Sequence, residues 1–234
     1  MKPVFRIFML ATALSSVAFV NGQEEKENYH SSSIEAQSIL PIGQFASRYV
    51  GGGYAKLGFG VGYTSRFHYT KGNVGYFFDA RLNYQRNSIA TEEAINEEYI
   101  AEFQIETNGG HYSMLNSSFG FGVQVPIERF RLSASTGFGI CGGLVRVNEI
   151  TVNNFYGSSE KSDPMEAYFV GTSFYSLLEF GIPLKKDKSY LSFYTDLRVQ
   201  NIRDTETFAK PESSVGTISS LGLGMKFTYC FGQD

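Results

Sequence analysis

The chain has 234 residues and a formal net charge of −3. This length allows one or two domains, and so small a charge does not favour nucleic acid or a strongly charged macromolecule as a partner. The informative feature is therefore the order of residues along the chain.

The N-terminus predicts a secretory signal peptide. Lys2 and Arg6 flank the start of an apolar run that reaches Val20, and small residues follow it before Gln23. A membrane-spanning helix needs about 20 consecutive apolar residues, and this interrupted run falls short of that. We predict a signal peptide over 1–22, a polar and disordered tail over 23–33, and the folded domain over 34–232.

From residue 34 onward, apolar residues alternate with polar or small ones. In the last such stretch the odd positions from Leu221 to Phe231 are apolar, whereas the even positions carry glycine, hydroxyl, thiol or lysine side chains. A period of two indicates a strand with one apolar face. The predicted strands cover 34–41, 54–69, 74–84, 113–125, 132–144, 170–182, 191–200 and 219–231.

Short and long connections alternate between these strands. Short turns are predicted near 71–73, 126–130 and 184–188, and long loops over 42–53, 89–111, 148–167 and 204–214. In the second loop, Ile95, Tyr99 and Phe103 recur at four-residue spacing behind an acidic turn, which predicts a short helix. An even number of antiparallel strands leaves both chain ends on one side of a membrane.

The two faces of the strands indicate which medium each one meets. A small and polar face opposite an apolar one is typical of a strand between a lumen and lipid. The pattern predicts an all-β fold, an eight-stranded antiparallel up-and-down transmembrane β-barrel. The alternative is a soluble lipocalin-like barrel, which would have to fill a narrow interior with phenylalanine and tyrosine.

The polar face carries charges of both signs interleaved with glycine. Its charged members are Lys56, Arg66, Asp79, Arg81, Glu179, Asp196, Arg198 and Lys226. Eight strands enclose a space just wide enough for side chains, so these residues predict a plug of paired charges, and the inward glycines would leave room for an arginine from a neighbouring strand. A small-solute channel is the alternative. Cys141 and Cys230 are predicted to be unpaired thiols facing inward.

One segment carries a resemblance to a known family. The run from Gly53 to Tyr63, GYAKLGFGVGY, and the aromatic-ended last strand are similar to the small outer-membrane β-barrel proteins of the OmpA-transmembrane or "outer membrane protein beta-barrel domain" type. The resemblance implies export to the outer membrane of a Gram-negative bacterium and contact with outer-membrane lipid and lipopolysaccharide. It also implies insertion by the barrel-assembly machinery and a possible surface partner bound by the loops.

Candidate catalytic residues are few. His111-Tyr112-Ser113 is similar to the His-x-Ser pair of outer-membrane lipid A deacylases, in which a histidine activates a serine nucleophile. No acidic residue can be assigned to orient His111, so the pair is weak evidence for an enzyme. The three histidines have no metal-ligand spacing, and no cofactor or metal is expected. We predict a non-enzymatic structural or surface-interaction role carried by the loops.

Overall fold

The structure is a computed structural model that describes residues 26–47, 53–71, 74–90, 103–107, 109–127, 129–154, 159–185, 188–204 and 216–231. Among these residues, no helix is long and apolar enough to cross a membrane. A short 3-10 helix covers Gly43–Phe45. The strands are β1 (Lys26–Ile42), β2 (Ala55–Lys71), β3 (Val74–Ile89), β4 (Phe103–Thr107), β5 (Gly110–Ile127), β6 (Phe130–Val147), β7 (Ile150–Asn154), β8 (Ser159–Lys161), β9 (Met165–Lys185), β10 (Ser189–Asp204) and β11 (Gly216–Phe231).

Eight of these strands form a closed antiparallel barrel in the order β1-β11-β10-β9-β6-β5-β3-β2. The barrel closes between the first and last strands, with Glu35 opposite Lys226. The short turns, the start of β1 and the end of β11 lie at one end of the barrel, which we call the turn end. The long connections lie at the other end, which we call the loop end. The predicted eight-stranded up-and-down barrel is confirmed.

The first strand is longer than predicted. Residues 26–33, expected to be a disordered tail, belong to β1, where His30 pairs with Phe67 of β2 and with Phe231 of β11. The reason is closure, because β2 and β11 would otherwise present unpaired edges along this stretch. The barrel therefore starts at Lys26 and not at residue 34, whereas the predicted signal peptide lies outside the described residues.

A second, three-stranded sheet in the order β4-β7-β8 lies in two of the long connections. It continues the ladder between β5 and β6. Gly110 pairs with Val147, the Asn148 amide donates to the Gly109 carbonyl at 2.9 Å, and Thr107 then pairs with Ile150. Gly109 has a φ of +85°, a left-handed conformation that suits glycine at this joint. The predicted helix lies largely in 91–102, outside the described residues, and Phe103 begins a strand instead.

The barrel is apolar outside and polar inside. Phe138, Phe78 and Ile140 on the outer face expose 73%, 71% and 68% of their surface, whereas inward Arg81 and Lys226 expose 2% and 0%. A soluble barrel would bury the apolar face and expose the charges. The soluble lipocalin-like alternative is therefore wrong, and the faces are those of a barrel that meets lipid.

Candidate functional site

The middle of the barrel interior holds a continuous chain of ion pairs, which we call the lumen network. Its members, in order of contact, are Asp79, Arg66, Glu179, Lys226, Glu35, Arg81, Asp196 and Arg198. Negative and positive side chains alternate along the whole series. Buried charges are tolerated when they are paired in this way, and each charge of the network has a partner of opposite sign among its members.

The closest contacts of the network involve shared carboxylates. Glu179 Oε2 lies 2.9 Å from Arg66 Nη2 and 3.0 Å from Lys226 Nζ. Glu35 Oε1 accepts from Arg81 Nη2 at 3.0 Å. Asp196 Oδ2 lies 2.6 Å from Arg198 Nη2 and 3.4 Å from Arg81. Each of these carboxylates bridges two cations on different strands, so the network links the wall of the barrel from side to side.

Seven of the eight charged residues predicted to face inward lie in this network, and Lys56 does not. Lys56 is exposed at the loop end. The register between β2 and β3 shifts between Ala55 and Gly58, so the alternation of the rest of β2 does not extend to Lys56. The irregular pairing of β2 with β3 changes the side on which the Lys56 side chain lies, and the residue pattern of one strand does not reveal such an irregularity.

Glu35 is the network member that the sequence analysis missed. It lies in the faint first strand, where serines occur on both faces and weaken the alternation. The signal was the polar series at odd positions of β1, since Ser31, Ser33, Glu35 and Gln37 are all buried. The register places Glu35 opposite both Lys226 and Gly62.

The inward glycines make room for aromatic rings more than for the arginine that was expected. A Cβ on Gly137 would lie 2.6 Å from Cε1 of Tyr175, and one on Gly224 would lie 2.7 Å from Cζ of Tyr194. The Tyr175 hydroxyl donates to Asp79, and the Arg81 guanidinium lies 4.8 Å from the centre of the Tyr175 ring. The rings therefore cross the lumen and pack against the network.

An apolar cluster, which we call the apolar cap, lies at the loop end of the interior. Its buried members are Phe45, Ala55, Met114, Phe169 and Ile218. Phe45 comes from the described part of the connection between β1 and β2, and the Tyr112 hydroxyl donates to the carbonyl of Gly53, at the end of that connection, at 2.8 Å. Phe45 is 2% exposed. The lumen network is thus covered by apolar side chains on the side of the long loops.

Aromatic and cationic groups occupy the turn end. The rings of Tyr29 and His68 stack with centroids 4.2 Å apart, and the Arg131 guanidinium lies 3.8 Å from the centre of the Tyr190 ring. A cavity of about 20 Å³ remains beside them, room for about one water molecule. Nearby Cys230, like Cys141, is a buried thiol, and the two do not form a disulfide.

His111 and Ser113 lie on the outer face near the loop end, as their parity predicted. The Ser113 hydroxyl accepts from the Tyr84 hydroxyl at 3.3 Å, and within the described residues no hydrogen bond joins it to His111. His111 pairs in register with Arg146, whose guanidinium contacts Glu166 at 3.2 Å. The geometry therefore gives Ser113 a tyrosine partner and not a histidine base.

No protein-family model matches the chain, and no curated protein sequence matches it. Several solved structures are similar over most of its length. Neisserial surface protein A is 8% identical, with 89% of this chain and 100% of that one covered at a TM-score of 0.43. Ail of Yersinia pestis, solved with the heparin analogue sucrose octasulfate, is 12% identical with 87% and 99% covered at 0.38. The N-terminal barrel of Pseudomonas aeruginosa OprF is 15% identical with 87% and 100% covered at 0.29. At these TM-scores the likenesses carry no argument about what the chain does.

Proposed function

We propose that this chain is an integral protein of a bacterial outer membrane, with a plugged barrel that serves as a scaffold and long loops that bind a partner at the cell surface. The proposal is supported by the two faces of the barrel wall, which is apolar outside and polar inside, the opposite of a soluble barrel and the arrangement that surrounding lipid favours. The observation that carries the plugged state is the lumen network, covered at the loop end by the apolar cap. The predicted signal peptide would supply export.

The turn end would face the periplasm and the loop end the outside. Cysteine labelling on whole cells tests this orientation, in a background where Cys141 and Cys230 are replaced by alanine. We expect a membrane-impermeant reagent to modify a Gly157→Cys variant and to leave an Asn73→Cys variant unmodified. Labelling of the second and not of the first would reverse the orientation.

A plugged barrel should not conduct. Ions crossing this interior would have to separate buried ion pairs and pass the apolar cap, both of which are costly in a medium of low dielectric constant. Protein reconstituted in a planar bilayer is expected to show no steady conductance. Steady conductance that changes in an Arg81→Ala or Arg198→Ala variant would favour the small-solute channel instead.

The binding role would be carried by the sheet of β4, β7 and β8, which stands beyond the barrel rim. Loop sequences can vary more freely than those of the barrel strands, which face lipid on one side and the lumen network on the other. A binding site for a partner is therefore more readily formed in the loops. Replacing 91–108 with a short turn removes β4 and should abolish capture of surface partners by intact cells. The matched control replaces 205–214, which leaves β4, β7 and β8 in place, and equal capture by both variants would contradict the proposal.

The proposal includes no enzymatic activity. It is supported by the contacts of Ser113, whose hydroxyl accepts a hydrogen bond from Tyr84 and, within the described residues, makes none to His111. Mass analysis of lipid A from cells that express the protein tests this directly. Loss of an acyl chain that disappears in His111→Ala and Ser113→Ala variants would establish the deacylase in place of the scaffold.

A further inference from the structure

The cavity at the turn end lies beside an arginine that forms no ion pair with the described residues. Arg131 is half-buried, its Nη1 donates to the Tyr29 hydroxyl at 3.2 Å, and its guanidinium lies 3.8 Å from the centre of the Tyr190 ring. The lumen network has as many acidic as basic members and is neutral by itself. Arg131 therefore adds one positive charge to the turn end, held between two aromatic rings.

A buried histidine lines the same cavity. His68 Nε2 and Ser31 Oγ are 2.8 Å apart, and no hydrogen bond from the described part of the chain reaches the buried His68 Nδ1. With the ring proton on Nδ1, Nε2 accepts from the Ser31 hydroxyl, and Nδ1 is left as a donor. A buried polar atom of this kind indicates that the cavity holds a water molecule or an ion.

The size of the cavity and the charges around it select its ligand. A volume of about 20 Å³ holds one particle of roughly the size of a water molecule. Chloride is only slightly larger than water, whereas sulfate and phosphate carry several oxygen atoms and do not fit. The walls include Arg131, Arg66 and Glu179, and the Glu179 Oε2 is already shared by Arg66 and Lys226. The positive charge that remains attracts an anion, more strongly here than in water because the dielectric constant is lower.

We propose that the turn-end cavity binds one chloride ion, which accepts hydrogen bonds from the Arg131 guanidinium and from His68 Nδ1. The ion neutralises Arg131 and extends the charge balance of the lumen network to the end of the barrel opposite the long loops. The site does not depend on a surface partner, because the two lie at opposite ends of the barrel.

Bromide tests the position of the site, because it has the charge of chloride, a similar size and measurable anomalous scattering. Crystals of the protein are soaked in sodium bromide. We expect one anomalous peak within hydrogen-bond reach of Arg131 and His68 in the parent, and none there in Arg131→Gln. Electron density in the cavity without an anomalous signal would identify a water molecule and overturn the proposal.

Urea unfolding in detergent micelles measures the affinity, with sodium gluconate replacing sodium chloride at constant ionic strength. The unfolding midpoint of the parent should rise with chloride, because a ligand that binds only the folded state stabilises it. Arg131→Gln should weaken the chloride affinity fitted from this rise about tenfold, the loss of one charge-assisted hydrogen bond. Gly181→Ala should also weaken it without changing any charge, because Gly181 lines the cavity and an added Cβ would lie 3.1 Å from the Ser192 Oγ.

The matched controls are Arg129→Gln, an exposed arginine in the neighbouring turn, and Gly75→Ala, a buried glycine at the turn end that does not line the cavity. A Cβ on Gly75 would meet nothing closer than 3.6 Å. Both controls should bind chloride as the parent does, and folding of each variant is checked by heat-shifted mobility on gels. A parent midpoint that does not respond to chloride, equal losses in the controls, or sulfate acting as strongly as chloride would each contradict the proposal.

Discussion

The burial of Glu179 gives the sharpest test of the lumen network. The carboxylate is shared by Arg66 and Lys226 at 2.9 and 3.0 Å, and the Glu179 and Lys226 side chains are 6% and 0% exposed. Glu179→Gln keeps the shape of the side chain and removes its charge. Two buried cations then lose their nearest shared counter-charge, and breaking a buried pair by removing one partner costs about 3–5 kcal/mol. Since the glutamine oxygen can still accept a hydrogen bond, we expect about 3 kcal/mol.

The matched control is Glu166→Gln on the same strand. Glu166 contacts Arg146 at 3.2 Å, a similar distance, but these side chains are 36% and 44% exposed. Exposed pairs contribute about 0–1 kcal/mol because water screens them and compensates their loss. The same chemical change should therefore cost much less at Glu166, which is exposed and pairs with one cation, than at Glu179, which is buried and pairs with two.

Guanidinium unfolding in detergent micelles measures both variants at neutral pH. The chain has no tryptophan, so far-ultraviolet circular dichroism of the strands is the appropriate signal, with gel mobility as a second probe. We expect a large loss of unfolding free energy for Glu179→Gln and little change for Glu166→Gln. Free energies of unfolding that agree within about 0.5 kcal/mol, the scatter usual for surface changes, would refute the proposal that buried ion pairs plug the interior.

Two further predictions concern the wall of the barrel. The Leu223 side chain is 58% exposed on the outer face, and Leu223→Arg should make membrane insertion less favourable by about 2–4 kcal/mol if this position lies near the bilayer midplane. The control Leu223→Met should insert as the parent does. Equal insertion of the two variants in a vesicle-folding assay would contradict the assignment of this face to lipid. Gly139→Ala should prevent folding, because its Cβ would lie 2.6 Å from the Ser118 Cα, whereas Gly142→Ala meets nothing closer than 3.6 Å and should fold. Heat-shifted gel mobility distinguishes the two, and a folded Gly139→Ala protein would show that the close approach of β5 and β6 is wrong.

Alternation along the chain was sufficient for the architecture. The two-residue period of side-chain direction is a local property of a strand, and the residues on each face indicate whether that face meets lipid or the lumen. The inward position of Arg66, Asp79 and Arg81 therefore followed from residues on either side of them. The faint alternation of β1 gave a strand of uncertain length, because serines such as Ser32 and Ser38 stand on its outer face.

The amino-acid sequence by itself thus determined the number of barrel strands, the two faces and most of the charged residues of the lumen. Only the tertiary structure decided which charges meet, that Glu35 bridges Arg81 and Lys226, and that Lys56 lies outside the network. It also decided that β4 and β7 extend the ladder of β5 and β6 beyond the rim. These features depend on register between strands far apart in the chain, where a shift of one residue exchanges the faces, and no local pattern contains that offset.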